Sequence, residues 1–273
     1  MIRAAVTVSL VKQAAGGPFV FWHDLPLACR TAADMGFDGI ELFPPSADDL
    51  DATALRRMLE DHGLKLAAVG TGGGWVCQRL TLTSADGLLR SAAKRFIRSI
   101  IDFAALFGAP AIIGSMQGRA SALIDRTTAI KHLRDALSEL GEHANERGVP
   151  LLFEPLNRYE TDIANTLQSA TGVLDGVTNT NVRILADLFH MNIEEADMAG
   201  AIRSAGKHIG HVHFADSNRR PAGLGHTDFS AVVAALNEIQ YDGYVSAECL
   251  PFPDSYSAAK QTMDSYRRFF RNA

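Results

Sequence analysis

Short apolar, β-branched runs closed by turns recur eight times along the chain, at 4–10, 38–43, 65–70, 109–115, 149–154, 182–187, 208–214 and 244–249. Runs of this length bounded by turn residues read as β-strands. Between them lie stretches with apolar residues three or four apart, among them 51–62, 85–107, 121–147 and 228–240, several stopped by glycine at Gly63, Gly108 and Gly148. Unbroken alternation of strand and helix predicts a parallel sheet with right-handed crossovers. Eight such units predict closure into an α/β (β/α)₈ (TIM) barrel, one domain over 1–273. No linker or charge run marks a boundary.

The last four runs each end in a residue that binds metals: LLFE at Glu154, ILAD at Asp187, HVH at His213 and YVSAE at Glu248. They stand 33, 26 and 35 residues apart, close to the roughly 31 residues of one strand-helix unit in such a barrel. All four therefore face the C-terminal mouth, where barrel enzymes build their sites. A single strand-end acid is ordinarily a helix cap or an ion-pair partner. Four on consecutive strands predict one site. Three carboxylates and one imidazole form a hard, oxygen-rich donor set that suits one divalent metal, Mn²⁺, Mg²⁺ or Co²⁺, better than structural zinc. Such an ion acidifies a C–H beside a carbonyl and stabilises an enediolate. Epimerisation at that carbon wants a base on each face, and Glu154 and Glu248 are the candidate pair.

Further polar residues follow the same strands in EPLNRYE, ADLFHMN and HFADSNRR. Glu160, His190 and Arg219 would project at the mouth, where they can hold substrate oxygens. In HIGHVHF, His211 shares a face with His213 one layer deeper and reads as a hydrogen-bonded core or supporting group. Glu41, closing the second strand, reads equally as site wall or loop anchor. Trp22, Phe43 and Trp75, placed in the loops after the first three strands, are candidate walls for a sugar. Thr227 or Asp228 is a candidate helix N-cap. The segment GTGGGW at 70–75 fits neither phosphate-binding fingerprint and reads as a strand-to-helix loop.

A net charge of −5 points away from nucleic acid and anionic membranes and toward a small-molecule partner. The three cysteines, Cys29, Cys77 and Cys249, are too few and too scattered for a disulfide framework or a zinc knuckle. With no apolar span and an N-terminus that reads as a strand, the cytoplasm is the expected compartment.

At EPLNRYETDIANT, ILADLFHMNIEE, HVHFADSNRRPAGLGHTDF and YVSAECLP the chain resembles the xylose-isomerase-like TIM-barrel sugar isomerase/epimerase superfamily. Within it, the ketose 3-epimerases fit best, a branch that includes D-tagatose/D-psicose 3-epimerases and 5-keto-L-gluconate epimerases. The resemblance implies that Glu154, Asp187, His213 and Glu248 bind one divalent metal, usually Mn²⁺, and that the two glutamates shuttle the proton. It implies that Glu160, His190 and Arg219 grip the O1 and O2 end of a ketose, and that the assembly is a homodimer or homotetramer. The first 150 residues match more loosely, through AVGTG, LTLT and IIGSMQGR. The far end of the substrate is therefore open, and a keto-sugar acid would need Arg119, Arg158 or Arg220 at its carboxylate. The expected activity is C3-type epimerisation of a ketose or keto-sugar acid through a cis-enediolate. Its alternatives are an aldose/ketose isomerase, such as one for hydroxypyruvate or an inosose, an endonuclease-IV-like phosphodiesterase and a non-catalytic sugar-binding barrel.

Overall fold

Aspartates start most of the helices. The computed structural model describes residues 1–177 and 181–271. Its helices are α1 (Leu25–Met35), α2 (Ala52–Asp61), α3 (Gly73–Gln78), α4 (Gly87–Ala105), α5 (Arg126–Glu146), α6 (Leu167–Leu174), α7 (Leu188–Glu194), α8 (Met198–Ala205), α9 (Phe229–Glu238) and α10 (Ser255–Tyr266). Asp24, Asp51, Asp86, Asp125, Asp187, Asp197, Asp228 and Asp254 each cap one by accepting a first-turn backbone N–H. The cap at Asp125 explains why α5 begins later than the predicted 121. The residues before it form a small bridge between Ser121 and Ile124. The predicted stops at Gly63, Gly108 and Gly148 all adopt positive φ.

The strands are β1 (Arg3–Ser9), β2 (Phe21–Trp22), β3 (Gly39–Phe43), β4 (Lys65–Gly70), β5 (Ala111–Ile113), β6 (Leu151–Phe153), β7 (Val182–Asp187), β8 (Ile209–His213) and β9 (Tyr244–Ala247). All pairings are parallel, in the order β2-β1-β3-β4-β5-β6-β7-β8-β9, and β1 also pairs with β9, closing eight strands into a (β/α)₈ barrel. The short β2 takes the edge of β1 at Val8 and Ser9, past Val6 where β9 leaves off. The eight predicted runs are the eight barrel strands. The fourth is shorter than expected because Pro110 has no N–H to donate and the chain turns at Gly114 into a 3-10 turn, Ser115–Gln117.

Most of the apolar core lies between barrel and helices. Inside, Ala68, Ile112, Leu152 and Leu185 form a separate small cluster. Leu152 and Leu185 stand two residues before Glu154 and Asp187, so this cluster floors the mouth. A register slip between β7 and β8 then sets the site. Ile184 pairs with Ile209 but Leu185 pairs with His211, which leaves Gly210 as an extra residue and brings Asp187 level with His213. Without the slip Asp187 would face Val212. Glycine is required there, since a Cβ on residue 210 would lie 2.6 Å from the Arg183 Cβ. Among the described residues, no helix is long and apolar enough to cross a membrane.

Candidate active site

Three carboxylates and one imidazole meet at the C-terminal rim. Asp187 and His213 are the last residues of β7 and β8, and Glu154 and Glu248 lie one residue past β6 and β9. His213 Nδ1 is 3.3 Å from Asp187 Oδ2, 3.4 Å from Glu248 Oε2 and 3.5 Å from Glu154 Oε1. One ligand atom from each of the four falls within 4.8 Å of the others. Burial, with the nearby charges of Glu248 and Asp187, pushes the Glu154 carboxyl up to about 8. Burial also opposes the Asp187 charge, yet Arg219 and His190 hold that carboxyl well below the usual range. Three acids thus crowd one pocket, and a divalent cation would relieve the repulsion. The donor set fits such an ion. Gly114 leaves the room this requires, because a Cβ there would run into the Glu154 carboxylate.

A second shared proton-binding group lies beneath. Glu41, buried in β3, accepts hydrogen bonds from His211 Nε2 at 2.8 Å and from His213 Nε2 at 3.1 Å. Burial disfavours its charge, but His213 and His211 together hold its carboxyl far below the ordinary value. Because Nε2 of His213 is committed to Glu41, its Nδ1 is left facing the three carboxylates. Glu41 is therefore a wall of the site rather than a loop anchor, and it also fixes a ring.

On the substrate side, Asn157 donates through both its backbone N–H and its amide to His190 Nδ1, at 3.3 and 2.7 Å. That pairing makes Nδ1 an acceptor and leaves Nε2 carrying the proton, 3.9 Å from Glu154 and 3.7 Å from Asp187. Burial, with Arg219 beside it, keeps His190 below its ordinary pKa and hence neutral. Arg219 Nη1 lies 3.2 Å from the same Nε2; with the proton there the contact is donor to donor, and an oxygen entering between them would accept from both. Arg219 also donates to Glu248 and stacks 4.5 Å from the Phe189 ring centre. Its backbone is held at φ +59° by an N–H donated to Asp216 O, and buried Asp216 in turn accepts from Ser217, Gly223 and Thr227. Glu160 accepts from Asn157 Nδ2 at 3.1 Å and is about half exposed.

Over residues 29–271 the sequence matches the description "Xylose isomerase-like TIM barrel". The chain belongs to that family. A D-psicose 3-epimerase of Agrobacterium fabrum is 31% identical over 79% of this chain and 76% of its own length. An L-ribulose 3-epimerase of Methylomonas sp. is 29% identical over 81% and 77%. A 3-dehydro-D-guloside 4-epimerase of Escherichia coli is 29% identical over 80% and 84%. Among solved structures, a D-psicose 3-epimerase crystallised in the presence of D-fructose superposes with a TM-score of 0.81 at 23% identity, covering 98% and 99% of the two chains.

Glu160, His190, Arg219, Glu41, Phe43 and Trp75 all line one cavity of about 320 Å³ with Glu154, His213 and Glu248. Phe43 closes β3 and Trp75 lies in α3, rather than in loops. Trp22 does not line the cavity; it sits in β2, edge-on to Phe19, which takes the wall position 4.4 Å from Phe43. Nothing in the sequence separated Phe19 from Trp22, because the two-residue strand that orients them has no pattern of its own. The glycines of 70–75 serve close packing: a Cβ on Gly72 would meet the Phe43 ring at 2.6 Å. Asp228, not Thr227, is the cap of α9. The three cysteines are free.

Proposed function

We propose that this protein is a divalent-metal-dependent epimerase that inverts a carbon beside the carbonyl of a ketose, using Glu154 and Glu248 as acid and base. The chain is an enzyme of the carbohydrate isomerase class. What carries the reading is the placement of the two glutamates on the outer members of four consecutive strands, with His213 Nδ1 between them. Glu154, Asp187, His213 and Glu248 would hold the ion, which we assign as Mn²⁺, with Mg²⁺ or Co²⁺ as substitutes. When bound, it supplies Lewis acidity to the adjacent carbonyl and hydroxyl oxygens.

The protein residues do the rest. His190 Nε2–H and the Arg219 guanidinium bind one substrate oxygen and orient the C–H to be broken. One glutamate removes that proton; the C–H electrons become the C=C of a cis-enediolate and the carbonyl oxygen gains the charge, which Arg219 offsets. The other glutamate returns a proton to the opposite face. Arg219 is the only arginine or lysine among the described residues of the cavity wall. None of the three arginines considered for a keto-acid carboxylate lines this cavity: Arg158 pairs with Glu194 at 2.9 Å, Arg220 stacks on Phe252 at 3.9 Å and Arg119 lines the neighbouring cavity, so a neutral ketose is favoured.

The test is to incubate the Mn²⁺-loaded protein with a panel of ketoses in D₂O and follow deuterium at carbon by NMR. Entry at the inverted carbon is expected. Entry confined to C1 or C2 would replace the epimerase by an aldose/ketose isomerase, and no entry with any ketose would sink the reading.

Metal uptake should also release protons. Glu154 sits near 8 and His213, although burial opposes its charge, is raised well above its ordinary value by Glu248 and Glu41, so the ion-free site retains at least one proton at pH 7. Ligation requires that proton to leave. The apparent Mn²⁺ affinity should rise by about tenfold or more per pH unit from pH 6 toward 8, where Glu154 titrates, and keep rising until His213 has also lost its Nδ1 proton. Calorimetry in buffers of differing ionisation enthalpy reads the released proton directly; a flat affinity profile would contradict the assignment.

A further inference from the structure

Trp75, Ser115, Leu156 and Glu160 wall the active-site cavity on one side and a second cavity on the other. The second is the larger, about 660 Å³ against about 320 Å³. Small-molecule sites run from about 300 to 1,000 Å³, so the first cavity alone suits one sugar and the two joined approach the upper bound. A free monosaccharide leaves the second unused. Its lining decides what else fits.

Hydroxyls of Thr81, Ser84 and Ser121 and carboxylates of Asp86 and Glu160 share the wall with the rings of Trp75 and Tyr159. Carboxylates accept from sugar hydroxyls, hydroxyl side chains give and take, and flat rings cover the C–H face of a pyranose. Among the described residues Arg119 is the only cation in this lining, which also holds two carboxylates, so the wall has no positive excess to attract a phosphate or carboxylate. The chemistry matches a neutral polyhydroxylated ring. Glu160 stands at the junction, hydrogen-bonded to the Asn157 that orients His190, so a group in the second cavity lies against residues that also serve the reacting end.

We propose that the second cavity is a glycosyl subsite, and that the preferred substrate is a ketose carrying a second sugar ring on an oxygen remote from its carbonyl. This rests on the epimerase reading above. The experiment compares kcat/KM of the Mn²⁺-loaded protein for D-fructose and for its 4-O-, 5-O- and 6-O-glucosyl derivatives, following inversion by NMR. At least one glucosyl derivative is expected to exceed D-fructose by tenfold or more. Two cavity-filling variants from separate loops, Ser121→Trp and Ser84→Trp, should each reduce that ratio at least tenfold, read as a ratio so that any general loss of activity cancels. Equal kcat/KM for all four sugars, or variants that leave the ratio unchanged, would overturn the subsite while leaving the epimerase intact. Turnover of none of them in D₂O would instead remove the epimerase reading on which it stands. A change of oligomeric state in both variants would assign the cavity to a protein contact and likewise overturn the subsite.

Discussion

Glu248→Gln is expected to lower kcat for epimerisation by about 10²- to 10⁴-fold, the usual contribution of one positioned acid or base. Glutamine keeps the shape of the side chain and an oxygen for the Arg219 guanidinium that donates to Glu248 in this structure. It cannot take or return a proton. Because the proposed mechanism uses one glutamate per face, the loss should be asymmetric. Glu154 can still remove the proton from the epimer presented to it, so that epimer should exchange its C–H for C–D slowly in D₂O without inverting, while its partner epimer exchanges little. Glu154→Gln should show the mirror result. Mn²⁺ affinity, measured separately by titration calorimetry, distinguishes this from ion loss, since both substitutions also remove a charged donor. A Glu248→Gln protein that inverts its substrate at the original rate would remove Glu248 from the chemistry.

The four residues of the cluster were legible because spacing of about one strand-helix unit reports strand ends, and strand ends in a parallel barrel converge. Asp187 and His213 each close a strand in the positions anticipated, and Asp228 caps α9 as its place before a helix suggested. Two kinds of feature were not legible. One depends on register: Asp187 meets His213 only because Gly210 is an extra residue in β8, and no local pattern marks a bulge. The other depends on closure of the barrel. Glu41 bonds histidines 170 and 172 positions away, on a strand two places round the ring from its own neighbour β1, so its partners appear only once β1 has joined β9. Asp216 and Asn157 were passed over for a related reason. Their work is to hold Arg219 and His190 by bonds to loop backbone and ring nitrogens, which composition does not display.

Glu41→Gln tests the least anticipated of these residues and should show two separable effects. The carboxylate has an oxygen for each histidine; an amide has one acceptor and one donor, so one buried Nε2–H loses its partner or meets an N–H. A buried donor left unpaired costs about 1–3 kcal/mol. The ion-free protein should melt lower by a corresponding amount in the presence of chelator. The second effect is on the ion. Without Glu41 to hold the proton on Nε2, the His213 ring is free to shift tautomer and turn, and Nδ1 no longer faces Asp187, Glu154 and Glu248 by default. Loss of such a supporting carboxylate typically weakens metal affinity by about 10- to 100-fold, and titration of Mn²⁺ into the variant should read a loss in that range. Glu41→Asp, which restores both acceptors on a shorter stem, should recover part of the affinity. A variant that melts early yet binds Mn²⁺ as tightly as the original would reduce Glu41 to a packing residue, and affinity falling without any change in melting would mean that the two histidines find other acceptors in the ion-free barrel.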